Sequence, residues 1–426
     1  MLANVLRRFG FGQLAHNTVL GSIWQFVRIG GQAFWVVAIA RVLGPSGYGT
    51  LAGIGGLAAT VGGLAGMGTS YLLLQNVSRD HTTFGGHWTK AVLTTLLSGI
   101  VFVLLFTGIT HHIMKETATS RMIAAIGISE ALCYPLVYAA SFAFQSHERL
   151  GWSGLLTSMM SSMRLLAVAA FWLFSTAHDL ESYVWFHLTA SIVSMLGALT
   201  MVHLILRPTR SRFSLRLAEL REGISFSVVW FTGNAVTELD KTLALRLAGS
   251  QIAGIYSAAY RMVSVATLPV ASLALAAQPR LFRQSMNAQG GDTHLIRNLA
   301  LFAAGYGIAA SLGLLLFAGL IPTLLGQAFA PAVREVRLLI LIPPLFSLRL
   351  IGNAVLMTSG RQLARIVVEI PAVLLLVGLA TLWIPRYGLT GIAMTVTTTE
   401  GLLAAAVWAM VSNQRRRQAT NAFTNS

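Results

Sequence analysis

The sequence predicts an all-α integral membrane protein of about twelve transmembrane helices in two six-helix lobes, and three observations predict it. The 426-residue chain is 55% hydrophobic and only 10% charged, with a mean hydropathy of +0.69. A soluble domain carries about 25% charged residues, so this chain cannot cover a water-facing surface. Its apolar runs repeatedly reach the roughly 20 residues that take a helix across a bilayer, and the strictly alternating short segments of a membrane β-barrel are absent. Third, a polar punctuation mark occurs twice, as ARVLGPSGYGTLAGIGGL from Ala40 and LRLAGSQIAGIYSAAYRM from Leu245. Arg41, Gly44 and Gly49 return as Arg246, Gly249 and Gly254, each 205 residues later and close to half the chain.

Twelve span cores follow in order, near 19–40, 50–74, 91–110, 122–144, 153–175, 183–206, 223–247, 252–277, 298–323, 336–358, 364–384 and 389–412. The first follows a basic start, MLANVLRRFG. It is too long for a signal-peptide core and no A-x-A-like site follows, so it is expected to be a retained span. The second is rich in glycine; Gly62 and Gly66, four apart, allow close helix contact. The seventh carries Glu238, Asp240 and Lys241. Pro135, Pro269, Pro343, Pro344 and Pro371 fall inside spans, where each removes a donor and can bend its helix. The single cysteine, Cys133, excludes an intrachain disulfide and a cysteine metal site. His111 and His112 are adjacent near an outer loop, and such a pair is poor evidence for a metal.

Lysine and arginine in the loops set the orientation. With both termini cytoplasmic, the inner segments hold Arg7, Arg8, Arg79, Lys90, Arg149, Arg207, Arg210, Arg212, Arg216, Arg221, Arg280, Arg283, Arg297, Arg361, Arg365, Arg415, Arg416 and Arg417. The outer segments hold Arg41, Lys115, Arg121, Arg246, Arg334, Arg337 and Arg386. That asymmetry of 18 to 7 follows the positive-inside rule. It also accounts for most of the net charge of +16, so no basic soluble domain remains for nucleic acid. The expected organisation is an N-terminal lobe over 1–206, a basic cytoplasmic linker over 207–222, a C-terminal lobe over 223–412 and a basic cytoplasmic tail over 413–426. The tail NQRRRQ is expected to anchor on anionic lipid. Six spans precede the second copy of the punctuation mark, so the lobes share one topology, related by an axis along the membrane normal. The glycines then permit tight interhelical turns, and the arginines meet helix-end carbonyls and headgroups.

LDKTLALRLAGSQIAGIYSAAYRM resembles the start of the second half in bacterial oligosaccharide flippases of the polysaccharide-transporter type, in the multidrug/oligosaccharidyl-lipid/polysaccharide exporter superfamily. The matching features are Asp240, an apolar stretch, Gly249 and then Gly254-x-Tyr256. RVLGPSGYGTLA resembles the corresponding turn of their first half. The resemblance implies two six-helix lobes around a central cavity that alternates between faces of the inner membrane. The implied activity is flipping of lipid-pyrophosphate-linked sugar to the periplasmic leaflet. It implies as partners a polyprenyl-pyrophosphate-linked oligosaccharide, membrane lipids, and the polymerase and glycosyltransferases of polysaccharide synthesis. It carries over no substrate residue by motif alone.

Charges near the bilayer midplane are expensive and face a cavity or a partner. Four are arginines: Arg28, Arg164, Arg261 and Arg349, two per lobe. A guanidinium fork suits phosphate oxygens, so these are the candidate substrate-binding residues, Arg28 and Arg261 foremost. Glu130, Glu238, Asp240, Glu369 and Glu400 also lie within spans, and with Lys241 the two signs balance five to five. Internal pairing is therefore the competing expectation. Asp240, Glu238, Glu369 and Glu400 are the candidates for coupling to Na+ or H+; no other cofactor and no metal is expected. The alternatives are a cation-coupled drug exporter, which would favour an acid-lined cavity, and a membrane polymerase or glycosyltransferase. The latter would need a reactive constellation in a loop, and the outer loops are short and carry none. No Walker A sequence occurs. A transporter, not an enzyme, is expected.

Overall fold

The computed structural model describes residues 13–114, 117–209, 211–214, 216–274, 277, 281, 293–358 and 362–424. Arg7, Arg8, Lys115, Arg210, Arg280, Arg283 and Arg361 of the charge count, the side chains of Arg415, Arg416 and Arg417, and most of the 252–277 span beyond Ala274 lie outside the described residues. Among those described, the chain is almost wholly helical and no strand occurs.

The first two spans form one long element, α1 (Gln13–Gly62), bent at Gly44 (φ 65°, ψ −177°), which precedes Pro45. The second span, expected unbroken over 50–74, is broken. Gly66 (φ 77°), Met67 (φ 46°) and Gly68 all take positive φ before α2 (Thr69–Arg79) resumes. Glycine tolerates such backbone, and two of the three residues are glycine. Then come α3 (Phe84–Ile113), α4 (Ser120–Ser146), α5 (Leu150–Phe174), α6 (Leu180–Ile205), α7 (Leu217–Ala248) and α8 (Ser250–Ala266). The chain closes with α9 (Thr293–Phe317), α10 (Ala332–Leu338), α11 (Ile342–Thr358), α12 (Gln362–Tyr387) and α13 (Leu389–Thr424). The tenth span, expected continuous over 336–358, is the pair α10 and α11, bent by 58°. Pro343 and Pro344 lie just past the break, where they remove two donors and restrict the residue before them.

Among the described residues, eight helices are long and apolar enough to cross a membrane, and the bent pair makes a ninth. Dividing α1 at Gly44 and adding α7 and α8 accounts for the expected twelve. Those two fall short by composition and by length: α7 carries Glu238, Asp240 and Lys241, and α8 is described over 17 residues.

The sequence repeat is also a conformational repeat. Gly249, between α7 and α8, has φ 86° and ψ 169°, the same region as Gly44, which is essentially restricted to glycine. Residues Gly44–Gly53 group with Ala235–Ser426 as one compact unit, and Met1–Leu43 with Ile54–Asn234 as the other. Within the former unit the two turns meet. A Cβ on Gly49 would collide with backbone of Ser250 and Gly254, and one on Gly254 with Pro45. Ser46 Oγ and Ser250 Oγ are 2.6 Å apart, and Thr242 Oγ1 donates to the Gly53 carbonyl at 2.7 Å.

Each unit has its own core. Phe84, Trp88, Val137, Phe144, Leu156 and Val202 centre the first; Val270, Ala303, Ile351, Leu356, Leu403 and Val407 centre the second. The faces left open are apolar, as hydrocarbon contact requires: Leu97, Val101, Leu104 and Leu105 on α3, and Leu312 and Leu316 on α9, are exposed.

Gly49→Ala and Gly254→Ala should each cost about 1–3 kcal/mol or more, because the obstructing atoms are backbone that cannot rotate away. Gly55, on the same helix, has open space where its Cβ would go, so Gly55→Ala should gain about 0.5–1 kcal/mol. Thermal unfolding of the three variants in detergent checks this; equal melting temperatures would remove the close approach as a constraint.

Candidate functional site

In the first unit the site begins with a proline. Pro135 cannot donate to the carbonyl one turn back, and its ring crowds that carbonyl. The helix meets this with a wide π turn at Ile128–Cys133 inside α4. Such turns recur at functional positions, and this one carries Glu130. Arg164 of α5 donates through Nη2 to Glu130 Oε1 at 2.5 Å. His187 Nε2 of α6 lies 3.3 Å from the same oxygen. One helical turn away, Tyr183 accepts from Trp35 Nε1 at 2.8 Å, and its hydroxyl is 3.4 Å from His187 Nδ1. The Arg164 guanidinium also stands 6.0 Å from the Tyr134 ring centroid. Arg28, on α1, is half-buried, and its Nε is buried with no hydrogen-bond partner.

In the second unit a denser network lies on α7 and α8. Lys241 Nζ is 3.1 Å from Asp240 Oδ1 and 3.2 Å from Glu238 Oε2. It also donates to the Thr237 carbonyl and stands 4.4 Å from the Tyr260 ring centroid. The Tyr256 hydroxyl donates to the other Asp240 oxygen. Arg261 hydrogen-bonds Tyr48 and lies in the field of Glu238. A cavity of about 90 Å³ opens here, lined by Glu238, Tyr260, Arg261, Ser264 and Phe346 among others. Arg349 of α11 donates through Nε to Glu400 of α13 at 2.5 Å, over the Phe346 ring. Arg365 and Glu369 pair along α12 at 2.5 Å.

The four arginines are thus in different circumstances. Arg164 and Arg349 are each held by one carboxylate from a neighbouring helix. Arg261 borders a cavity, and Arg28 keeps an unmet donor. Each of the four acids proposed for ion coupling has a cationic neighbour: Lys241 for Asp240 and Glu238, Arg365 for Glu369 and Arg349 for Glu400. Several members of these networks were not singled out from sequence. His187 adds nothing to a count of formal charge. Tyr48 lies in the repeated turn, which was read for its glycines. Glu335, in α10, is buried with neither carboxyl oxygen hydrogen-bonded. Among the described residues, no three His, Cys, Asp or Glu side chains gather as a metal site.

Breaking a buried pair from one side leaves a charge uncompensated, at about 3–5 kcal/mol, whereas replacing both members with apolar side chains is close to neutral. Arg349→Met and Glu400→Leu should each lower the melting temperature sharply, and the double variant should recover most of the loss. A double variant as unstable as the sum of the singles would show that the pair is not coupled.

Residues 14–285 match the family described as Polysaccharide biosynthesis protein. No curated protein matches the chain in sequence. Among solved structures, an inward-facing multidrug-resistance MATE-family transporter of the MOP superfamily superposes with a TM-score of 0.74 at 14% identity, over 91% of this chain and 96% of that one. An outward-facing member gives 0.65 at 14% identity, over 95% and 96%. A MOP-superfamily transporter from Pyrococcus furiosus, whose binding pocket is described as of reverse polarity, gives 0.62 at 13% identity, over 95% and 95%. These likenesses establish a two-lobed transporter fold of the MATE type.

Proposed function

Because this chain belongs to the polysaccharide biosynthesis protein family, we propose that it flips a lipid-pyrophosphate-linked oligosaccharide across the bacterial inner membrane by alternating access, for surface or exopolysaccharide synthesis. The observation that carries the reading is the guanidinium of Arg261 at the edge of a cavity, with aromatic and hydroxyl neighbours. A pyrophosphate needs paired, charge-assisted hydrogen bonds once it leaves water, and an arginine fork provides them. Arg28, with a donor still unmet, is the second candidate guanidinium. Arg164 and Arg349 act one step back, since each is engaged by a carboxylate. The ligand partner is a polyprenyl-pyrophosphate-linked sugar, delivered by glycosyltransferases and consumed by a polymerase. Both termini and the 207–222 linker are cytoplasmic.

Coupling to Na+ or H+ would use a carboxylate that exchanges its partner during the cycle. Asp240 and Glu238 suit this role because they share Lys241 and lie next to the cavity; Glu369 and Glu400 are held by single arginines. The second reading is a cation-coupled drug exporter, favoured by the MATE-family likeness and by Glu238 in the cavity wall. The Pyrococcus furiosus transporter is described as one whose reversed pocket polarity suggests a different function, so pocket charge is the property to test.

In cells deleted for this gene, Arg28→Ala and Arg261→Ala should lower polysaccharide export by roughly 10- to 100-fold, the worth of a hydrogen bond to a charged group, while the protein still inserts. Lysine at either position keeps the charge but loses the fork, and should restore export only in part. Full export by both alanine variants, together with a raised sensitivity of the deletion strain to cationic drugs, would favour the exporter instead.

A further inference from the structure

The first unit contains a run of aromatic rings that neither the ion pairs nor the cavity explains. Phe226 of α7 stacks on Tyr71 of α2 with centroids 5.4 Å apart and planes 8° from parallel. Tyr71 meets Trp230 at 5.7 Å, Trp230 meets Tyr138 of α4 at 5.2 Å, and Tyr138 meets Tyr134 at 4.8 Å. Three helices far apart in sequence thus contribute one continuous ladder of five rings.

The rings are neither core nor lipid-facing. All five are half-buried, and Tyr71, Tyr134, Tyr138 and Trp230 pack on the unit's core while remaining partly accessible. The helix that carries the last two rungs of the ladder does not reach the lipid. From Met122 to Ser146 no residue of α4 is exposed. The half-buried positions of α4 include Glu130, Tyr134 and Tyr138, at i, i+4 and i+8, hence on one face. The open face of α3, by contrast, is aliphatic: Leu97, Val101, Leu104 and Leu105. A polyprenyl tail has no reason to leave such a surface for a line of tyrosines.

The ladder also has a direction. α2 ends at Arg79, α4 ends at Ser146 and α7 begins at Leu217, three ends that the charge rule assigns to the cytoplasm. Tyr71, Tyr138 and Phe226 lie eight or nine residues from those ends, and Tyr134 and Trp230 twelve or thirteen, about one helical turn deeper. At the inner end of the ladder, Tyr134 has the Arg164 guanidinium 6.0 Å from its ring centroid and lies in the field of Arg28.

We propose that this ladder is the sugar-binding surface for the substrate. It deepens the flippase reading and rests on it. A pyranose ring is amphipathic. Its axial C–H face stacks on an aromatic ring, while its rim of hydroxyls needs polar partners, which the tyrosine hydroxyls provide. Successive rings of a saccharide lie along successive rungs, with the pyrophosphate at the guanidinium end. Stacking tolerates many hexoses and rejects none for a single misplaced hydroxyl. The rungs therefore supply affinity for carbohydrate as a class, ahead of any choice among sugars.

The test compares two probes on protein reconstituted in nanodiscs. One is the lipid-linked oligosaccharide that accumulates in cells deleted for this gene; the other is synthetic polyprenyl pyrophosphate without sugar. Wild type should bind the first more tightly. Trp230→Leu and Tyr138→Leu should each weaken that binding about 2- to 10-fold and leave the bare lipid unchanged. Trp230→Phe keeps a ring face and should bind both probes nearly as wild type does, which separates stacking from a general packing defect. Equal losses for both probes, or leucine variants indistinguishable from wild type, would overturn the ladder while leaving the flippase reading intact. Failure of wild type to bind either probe would remove that reading, and the ladder with it.

Discussion

A charge inside hydrocarbon must be met by an opposite charge, and this requirement organises both units. Uncompensated, each buried ion costs several kcal/mol. The chain meets the cost across helices with Arg164 to Glu130 and Arg349 to Glu400, and along α7 with Lys241 to Asp240 and Glu238. Each interhelical pair therefore also fixes which helix faces which. The wide turn before Pro135 belongs to the same constraint. It presents Glu130, whose single oxygen Oε1 serves both Arg164 and His187.

Backbone shape sets where those helices stand. The positive-φ glycines at 44 and 249 make the same turn twice. The bare backbones at Gly49 and Gly254 let those turns touch, with no Cβ in between. Behind them Tyr48, carried in by the first turn, reaches Arg261 on α8. A motif that reads as punctuation thus brings a hydrogen-bond acceptor to a guanidinium at the cavity.

Much of the fold was legible in the sequence because hydrophobic run length and loop charge are local properties. The repeat, the helical spans and the midplane charges all follow from them. The breaks were less legible. Gly66-Met67-Gly68 looks like a packing stripe until its backbone is seen to take positive φ, and Pro343-Pro344 looks like a kink until α10 separates from α11. Pairing was not legible at all. Five acids and five bases balance in many ways, and the choice of Glu130 for Arg164, or Glu400 for Arg349, depends on helix rotation and depth. The aromatic ladder escaped for the same reason, since its rungs are spread over α2, α4 and α7 and form a line only in three dimensions.

Substrate class is the point on which the functional reading turns. Purified protein in vesicles, loaded with lipid-pyrophosphate-linked oligosaccharide in one leaflet, tests it directly through enzymatic or chemical accessibility of the sugar from the other side. The prediction is exposure that requires the protein and is lost when Arg28 and Arg261 are both alanine. Exposure no faster than in protein-free vesicles, with uptake of a cationic dye in the same preparation, would contradict it.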